Sequence, residues 1–176
     1  MEKLFVIGFG PGDEGMLTGA AKNAVKKAQR ILNTREMPLS ELLLELKNPI
    51  KGETAVLVSG DCGFFSLAKT IIEDFAGLYE LDIIPGIGSI QYLSAKIKIS
   101  YDDAALISLH GRNGNIVPKV AYNKKVFALT GVAGSCDGAN GICSTLCRYG
   151  LGDVRVSVGE RLSYPDERII TDKAVM

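Results

Sequence analysis

The chain has 176 residues, 47% of them hydrophobic and 23% charged, with 20 basic residues against 20 acidic ones. That is a globular composition, enough for one ordinary domain or two small ones, and its even charge gives no overall bias toward nucleic acid or a membrane surface. No apolar run is long enough to span a bilayer, and Met1-Glu2-Lys3 leads into a strand rather than a signal peptide, so a cytoplasmic protein is expected.

In chain order, residues 4–7 form an apolar run rich in branched and aromatic side chains, the pattern of a buried strand. Gly8, Gly10 and Gly12 follow at alternate positions, with Pro11 between the last two. Glycine accepts positive φ and lets another group approach the backbone, so a ligand loop is expected at this strand end. A dinucleotide fingerprint is not expected. It needs glycine where Asp13 stands, Pro11 removes an amide donor, and the Asp13 carboxylate would face a pyrophosphate.

Leu17-Thr18 reads as a hydrophobic residue and an N-cap. The helix they introduce repeats Ala20, Ala21, Ala24, Val25 and Ala28, with Lys22, Lys26 and Lys27 on the wet side. Residues 30–33 read as a short strand, and 38–46 as a second amphipathic helix stopped by Asn48-Pro49. Residues 54–59 are another buried strand, ending in Gly60-Asp61-Cys62-Gly63. From Phe64 a helix is expected, with Phe65, Leu67, Ala68, Ile71, Ile72 and Phe75 on one face and an end near Gly77. Residues 78–84 follow as a strand, turning at 85–89. This alternation predicts an α/β fold with a largely parallel sheet. The loops 8–13, 60–63 and 85–89 all leave strand carboxyl ends and all carry glycine, so together they predict a pocket at that edge.

Near Ala104 the texture changes. Residues 105–109 and 125–129 read as strands, 142–149 as a helix, and 153–158 and 167–170 as short strands. The polar Ser100-Tyr101-Asp102-Asp103 separates an N-terminal α/β domain, 1–102, from a smaller mixed α/β C-terminal domain, 103–176. The four cysteines include no Cys-x-x-Cys pair, and the only histidine is His110, so reduced thiols and no metal are expected. A metal or redox site is the alternative reading of these cysteines.

Phe5 to Asp13 resembles the opening G-x-G-P-G-D loop of the tetrapyrrole methylases. Val58-Ser59-Gly60-Asp61 is similar to that family's S-G-D loop, and Pro85-Gly86-Ile87-Gly88-Ser89 to its P-G-I-x-S loop. The resemblance covers nearly the whole chain. Ser108-Leu109-His110-Gly111-Arg112, residues 126–131 and residues 158–169 look closest to the members that methylate carbon C-5 of a precorrin. Cys62 stands where relatives usually carry proline, and the sequence ends at Met176, where relatives continue into a last strand, so a short C-terminal domain is expected.

The resemblance implies a two-domain fold with the cofactor cleft between the domains, and S-adenosylmethionine as cofactor with S-adenosylhomocysteine as product. It also implies a polycarboxylated corrinoid precursor of cobalamin, a cobalt-precorrin or precorrin, as substrate. Pro11, Gly60, Asp61, Phe64, Gly88 and Ser89 are then expected at the cofactor, with Leu129 and Ala128 closing over its adenine. Asp61 has a second reading, as the cap of the helix at Gly63. His110, Arg112 and Tyr101 are expected at the substrate, Arg112 as a fork for carboxylates, with Tyr101 and Asp102 as positional candidates for a base. Lys96, Lys98 and Arg161 either add positive potential or are solvated. A sulfonium donor leaves as a neutral thioether, so a site of shape and backbone contacts is expected, without a catalytic triad.

A homodimer, and a partner that performs C-15 methylation and decarboxylation, are implied in the same way. Three alternatives stay open. They are a methylase of the same fold for another precorrin carbon, diphthamide or ribosomal RNA; a nicotinamide-dependent oxidoreductase; and a non-catalytic ligand sensor.

Overall fold

A computed structural model describes residues 1–110, 114–131, 135–136 and 138–175. The chain forms two compact units, Met1–Tyr92 with Arg161–Pro165, and Leu93–Glu160 with Asp166–Met176.

The first unit holds a four-stranded, wholly parallel sheet of β1 (Glu2–Gly8), β2 (Arg30–Asn33), β3 (Glu53–Val58) and β4 (Tyr79–Ile84), ordered β2-β3-β1-β4. The predicted parallel α/β sheet is therefore present. Its strands read as continuous apolar runs because both faces are covered. On one face, α1 (Gly19–Lys27) places Ala21 and Ala24 against Phe5, Ile7, Ala55 and Leu57. On the other, α2 (Leu39–Leu46) and α3 (Ala68–Phe75) place Leu42, Leu46, Ile71 and Phe75 against Leu4, Val6, Val56 and Val58. Thr18 caps α1 as read from the sequence, its hydroxyl accepting from the Ala21 N–H at 3.1 Å. Ala20, expected on the apolar side, is exposed.

The helix expected from Phe64 starts later. Residues 64–66 form a bend in which Phe65 adopts φ +48°, a left-handed conformation that no α-helix continues through, and α3 begins at Ala68. Phe65 and Ile72, assigned to the apolar face, are exposed.

Two helices had no counterpart in the sequence reading. One is α4 (Ser89–Ile97), which starts at the last residue of the P-G-I-G-S turn. The other is α5 (Ile116–Tyr122), whose Pro118 is tolerated because the first turn of a helix has no intrahelical use for its N–H groups.

In the second unit β5 (Ala105–Ser108) and β6 (Val126–Leu129) pair in parallel, while β7 (Arg155–Glu160) and β8 (Arg168–Lys173) pair antiparallel. Helix α6 (Ala139–Arg148) supplies Ile142 and Leu146 to a small core with Leu109, Ile116 and Ala174. Among the described residues no helix is long and apolar enough to cross a membrane, and no group of three or more His, Cys, Asp or Glu could hold a metal ion.

Candidate active site

The register of the sheet decides where the loops meet. Gly8 of β1 pairs with Val58 of β3, and Ile7 pairs with Ile84 of β4, so three strands end at one level. From there β1 leads to α1 on one face of the sheet and β3 leads to α3 on the opposite face. Adjacent strands whose connections diverge in this way leave a crevice between their carboxyl ends, where α/β sheets bind ligands.

Backbone alone fills the floor of this edge. The N–H of Gly10 donates to the Gly60 carbonyl at 3.1 Å, and the N–H of Gly60 donates back to the Gly10 carbonyl at 3.0 Å. Both glycines have positive φ, +87° and +72°. A Cβ on Gly8 would stand 2.5 Å from Gly86 N and 2.8 Å from the Gly60 oxygen, so Gly8, Gly60 and Gly86 touch through their main chains. Gly88 adjoins them, its Cα 3.9 Å from the Cβ position of Gly60.

Asp61 fastens this cluster. Its Oδ1 accepts from the Gly63 N–H at 2.8 Å and its Oδ2 from the Gly86 N–H at 3.2 Å, joining the second glycine loop to the third. Cys62 lies beneath, its thiol within hydrogen-bonding reach of the carbonyls of Val6 (3.5 Å) and Ile84 (3.3 Å). Burial, and then the negative charge of Asp61, push that thiol up to about 11. Cys62 is thus a neutral packing group at neutral pH.

The first loop is held from two further sides, by residues the sequence reading did not assign to the site. Arg35, two residues beyond β2, donates from Nη2 to the Gly10 carbonyl at 2.8 Å and from Nη1 to the Gly12 carbonyl at 2.9 Å. Its Nε reaches Ser59 Oγ at 3.3 Å, and its guanidinium carbon lies 4.6 Å from the centre of the Phe9 ring. Residues 161–165 cover the same loop. Ser163 Oγ accepts from the Asp13 N–H at 2.8 Å, and a Cβ on Gly12 would stand 2.4 Å from the Tyr164 ring. The signal for Arg35 was available: β2 is parallel to β3, so the residues after Asn33 must reach the same edge.

These contacts test the loop against an anion. The N–H groups of Phe9, Gly10 and Asp13 are committed to Val58, Gly60 and Ser163, and Pro11 has none. The Asp13 carboxylate turns back to accept from the Gly15 N–H at 2.6 Å. No amide nest remains at these positions for a pyrophosphate, whereas a bare glycine rim suits a ligand held by shape.

Of the residues expected at the cofactor, the structure brings Pro11, Gly60, Asp61, Gly88 and Ser89 to this edge of the first unit. Phe64 follows on the same loop, edge-on to Phe65 with ring centres 5.0 Å apart. Ala128 and Leu129 end β6 in the second unit, where the Leu129 carbonyl accepts from the Leu109 N–H at 2.8 Å. Exposed His110 follows immediately, so these three share the carboxyl end of the β5–β6 pair.

Tyr101 and Asp102 precede β5 and sit at its other end, beside Lys125, which binds the Ser100 carbonyl and Asp103. The Ser100 hydroxyl, donating to Asp102, holds that carboxyl below the usual carboxylate range, which makes it a weaker base. Lys96 pairs with Glu167 at 3.2 Å, Lys98 adopts φ +58°, and Arg161 lies 4.9 Å from the Tyr164 ring centre. Arg112 lies outside the described residues.

Comparison with known proteins identifies the family. Residues 45–174 match the family model for Tetrapyrrole (Corrin/Porphyrin) Methylases. The chain is 30% identical to a probable cobalt-precorrin-7 C(5)-methyltransferase of Methanocaldococcus jannaschii, over 94% of this chain and 87% of that protein. It is 29% identical to the decarboxylating precorrin-6Y C(5,15)-methyltransferase of a Sinorhizobium species, over 88% of this chain but 36% of that longer protein. In fold it is similar to a uroporphyrin-III C-methyltransferase from Thermus thermophilus solved with S-adenosylhomocysteine, with a TM-score of 0.69, 20% identity, and coverage of 98% of this chain and 83% of that one.

Proposed function

Since this chain belongs to the tetrapyrrole methylases, we propose that it methylates carbon C-5 of a cobalt-precorrin in cobalamin biosynthesis, with S-adenosylmethionine as donor. The observation that carries this reading is the rim of Gly8, Gly10, Gly60, Gly86 and Gly88 at the β1–β3 switch point, where the N–H groups of Gly10, Gly60 and Gly86 are already used. The relatives' names support the ring carbon and the macrocycle, and the Thermus enzyme's ligand supports the donor.

The residues present fit such a group. Pro11, Gly60, Asp61, Phe64, Gly88 and Ser89 would hold it, with Ala128 and Leu129 proposed for its adenine. When bound, the sulfonium supplies an electrophilic methyl and leaves as a neutral thioether. The protein's task is then alignment, a contribution worth about 7–11 kcal/mol where two reactants are held in line. The paired backbone bonds between Gly10 and Gly60 and the two bonds of Asp61 pre-set this geometry before any ligand arrives. His110 is assigned to a substrate carboxylate, with Arg112 and Tyr101 as further substrate contacts. A homodimer, a cytoplasmic location and a separate C-15 methylating and decarboxylating partner complete the proposal. The last rests on the longer Sinorhizobium relative.

The test is thermal unfolding of the full chain with S-adenosylmethionine, S-adenosylhomocysteine or NAD. A ligand at one hundred times its Kd adds about 2.7 kcal/mol, so both sulfur compounds should raise Tm while NAD does not. Stabilisation by NAD without an effect of S-adenosylhomocysteine would overturn the reading.

A further inference from the structure

We infer that Arg35 is a positioning residue for methyl transfer, setting the backbone on either side of Pro11 so that the donor meets a loop already in its bound shape. This rests on the cofactor reading above and adds a residue that reading does not contain.

Three observations converge on Arg35. Its hydrogen bonds go to two carbonyls of one loop and to a hydroxyl at the end of a neighbouring strand, not to a carboxylate, among the described residues. The carbonyls belong to Gly10 and Gly12, so the fork spans Pro11 and fixes the Gly10–Pro11 and Gly12–Asp13 peptide groups. Finally, the guanidinium carbon lies near two aromatic rings, 4.6 Å from the centre of Phe9 and 6.0 Å from that of Tyr164, and the residue is half-buried.

The need for such a clamp follows from the loop's composition. Gly10 adopts φ +87°, and a loop of alternating glycines carries few side chains to anchor it. Left alone it would populate many conformations, and a ligand would have to order it on binding. A planar fork with fixed donor directions can hold two carbonyls at once, whereas an ammonium group is a single point of attachment. Arg35 thus ties three strand ends together: β2 through its own position, β3 through Ser59, and β1 through Gly10 and Gly12.

The variants Arg35→Met and Arg35→Lys test this in the full chain. Hydrogen exchange without ligand should show faster exchange at Gly10 and Gly60 in Arg35→Met, and an intermediate rate in Arg35→Lys. The Kd for S-adenosylhomocysteine should weaken about 10- to 100-fold in Arg35→Met, the cost of ordering one or two loop residues on binding. KM for S-adenosylmethionine should rise while KM for the macrocycle stays put. A purely structural role would instead lower the active fraction and leave both KM values unchanged.

Unchanged exchange, an unchanged Kd, or an equal rise in both KM values would overturn the assignment. If Arg35→Met does not fold, Arg35→Lys is read by the same criteria. Failure of the wild-type chain to bind S-adenosylhomocysteine would overturn the cofactor reading and this inference with it. Binding by the wild type and equally by the variants would overturn this inference alone.

Discussion

Gly8 and Gly86 meet main chain to main chain: a Cβ on Gly86 would stand 2.5 Å from the Gly8 carbonyl oxygen, and one on Gly8 would stand 2.5 Å from Gly86 N. Two strand ends can approach so closely only without side chains, and this closeness lets Asp61 reach the Gly86 amide from the neighbouring loop.

Gly86→Ala should therefore be costly. The obstructing atoms are backbone oxygens of Gly60 and Gly8, at 2.4 and 2.5 Å, and cannot rotate away. Overpacking of this kind costs about 1–3 kcal/mol, so urea unfolding should show a lower midpoint with an unchanged slope. Gly77→Ala is the control, because nothing lies within 4 Å of a Cβ there.

Asp61→Asn and Asp61→Ala separate two jobs. Asn keeps one carbonyl oxygen for the Gly63 amide and replaces the other with an amide NH2, a donor that faces the Gly86 N–H and cannot accept from it. Ala loses both acceptors; the exposed Gly63 amide can turn to water, while the part-buried Gly86 amide left unsatisfied costs about 1–3 kcal/mol. Denaturation should rank the wild type above Asn and Asn above Ala, and calorimetry with S-adenosylhomocysteine should show binding lost in Ala. Undiminished binding by Asp61→Ala would reduce Asp61 to a turn-capping residue.

Cys62 gives a pH prediction. Its thiol is raised to about 11 from 9.0 because the fold disfavours the thiolate, so between those values the unfolded chain loses a proton that the folded chain keeps. Stability contributed by Cys62 is complete below pH 9 and falls as pH rises through 11. Cys62→Ala should flatten that alkaline decline in a series of urea titrations. At pH 8 a thiol reagent should label exposed Cys136 first and Cys62 only on unfolding.

At the opposite end of the sheet, Tyr79 donates to the Leu46 carbonyl at 2.9 Å and accepts from Arg30 Nη2 at 3.2 Å. Burial raises its pKa, opposed by the Arg30 charge. Tyr79→Phe strands a carbonyl and a guanidinium donor, a loss of about 1–3 kcal/mol. Chemical denaturation should register it, while affinity for S-adenosylhomocysteine stays at the wild-type value.

Much of this was legible from sequence, for identifiable reasons. Apolar runs such as residues 4–7 and 54–58 declare strands buried on both faces, and glycine at Gly8, Gly60 and Gly86 declares where strand ends crowd together. Local periodicity could not reveal that Phe65 would turn left-handed and delay α3 to Ala68. It also passed over α5, seven residues long with Pro118 inside. Arg35 and Tyr164 escaped for a different reason. Strand order places Arg35 at the right edge, but neither residue carries a local pattern that names the carbonyls or the glycine it touches.

The cover over Gly12 arrives from far away: Ser163 and the Asp13 amide it accepts from are 150 positions apart. Synthesis on the ribosome delivers β1 first, yet as an inner strand it must wait for β3 and β4, and its loop waits longer still for Tyr164. Such distant pairings are slow to find. Arg35, just 23 and 25 positions from the two carbonyls it holds, reaches the nascent loop before Val58 and Gly60 and long before Tyr164.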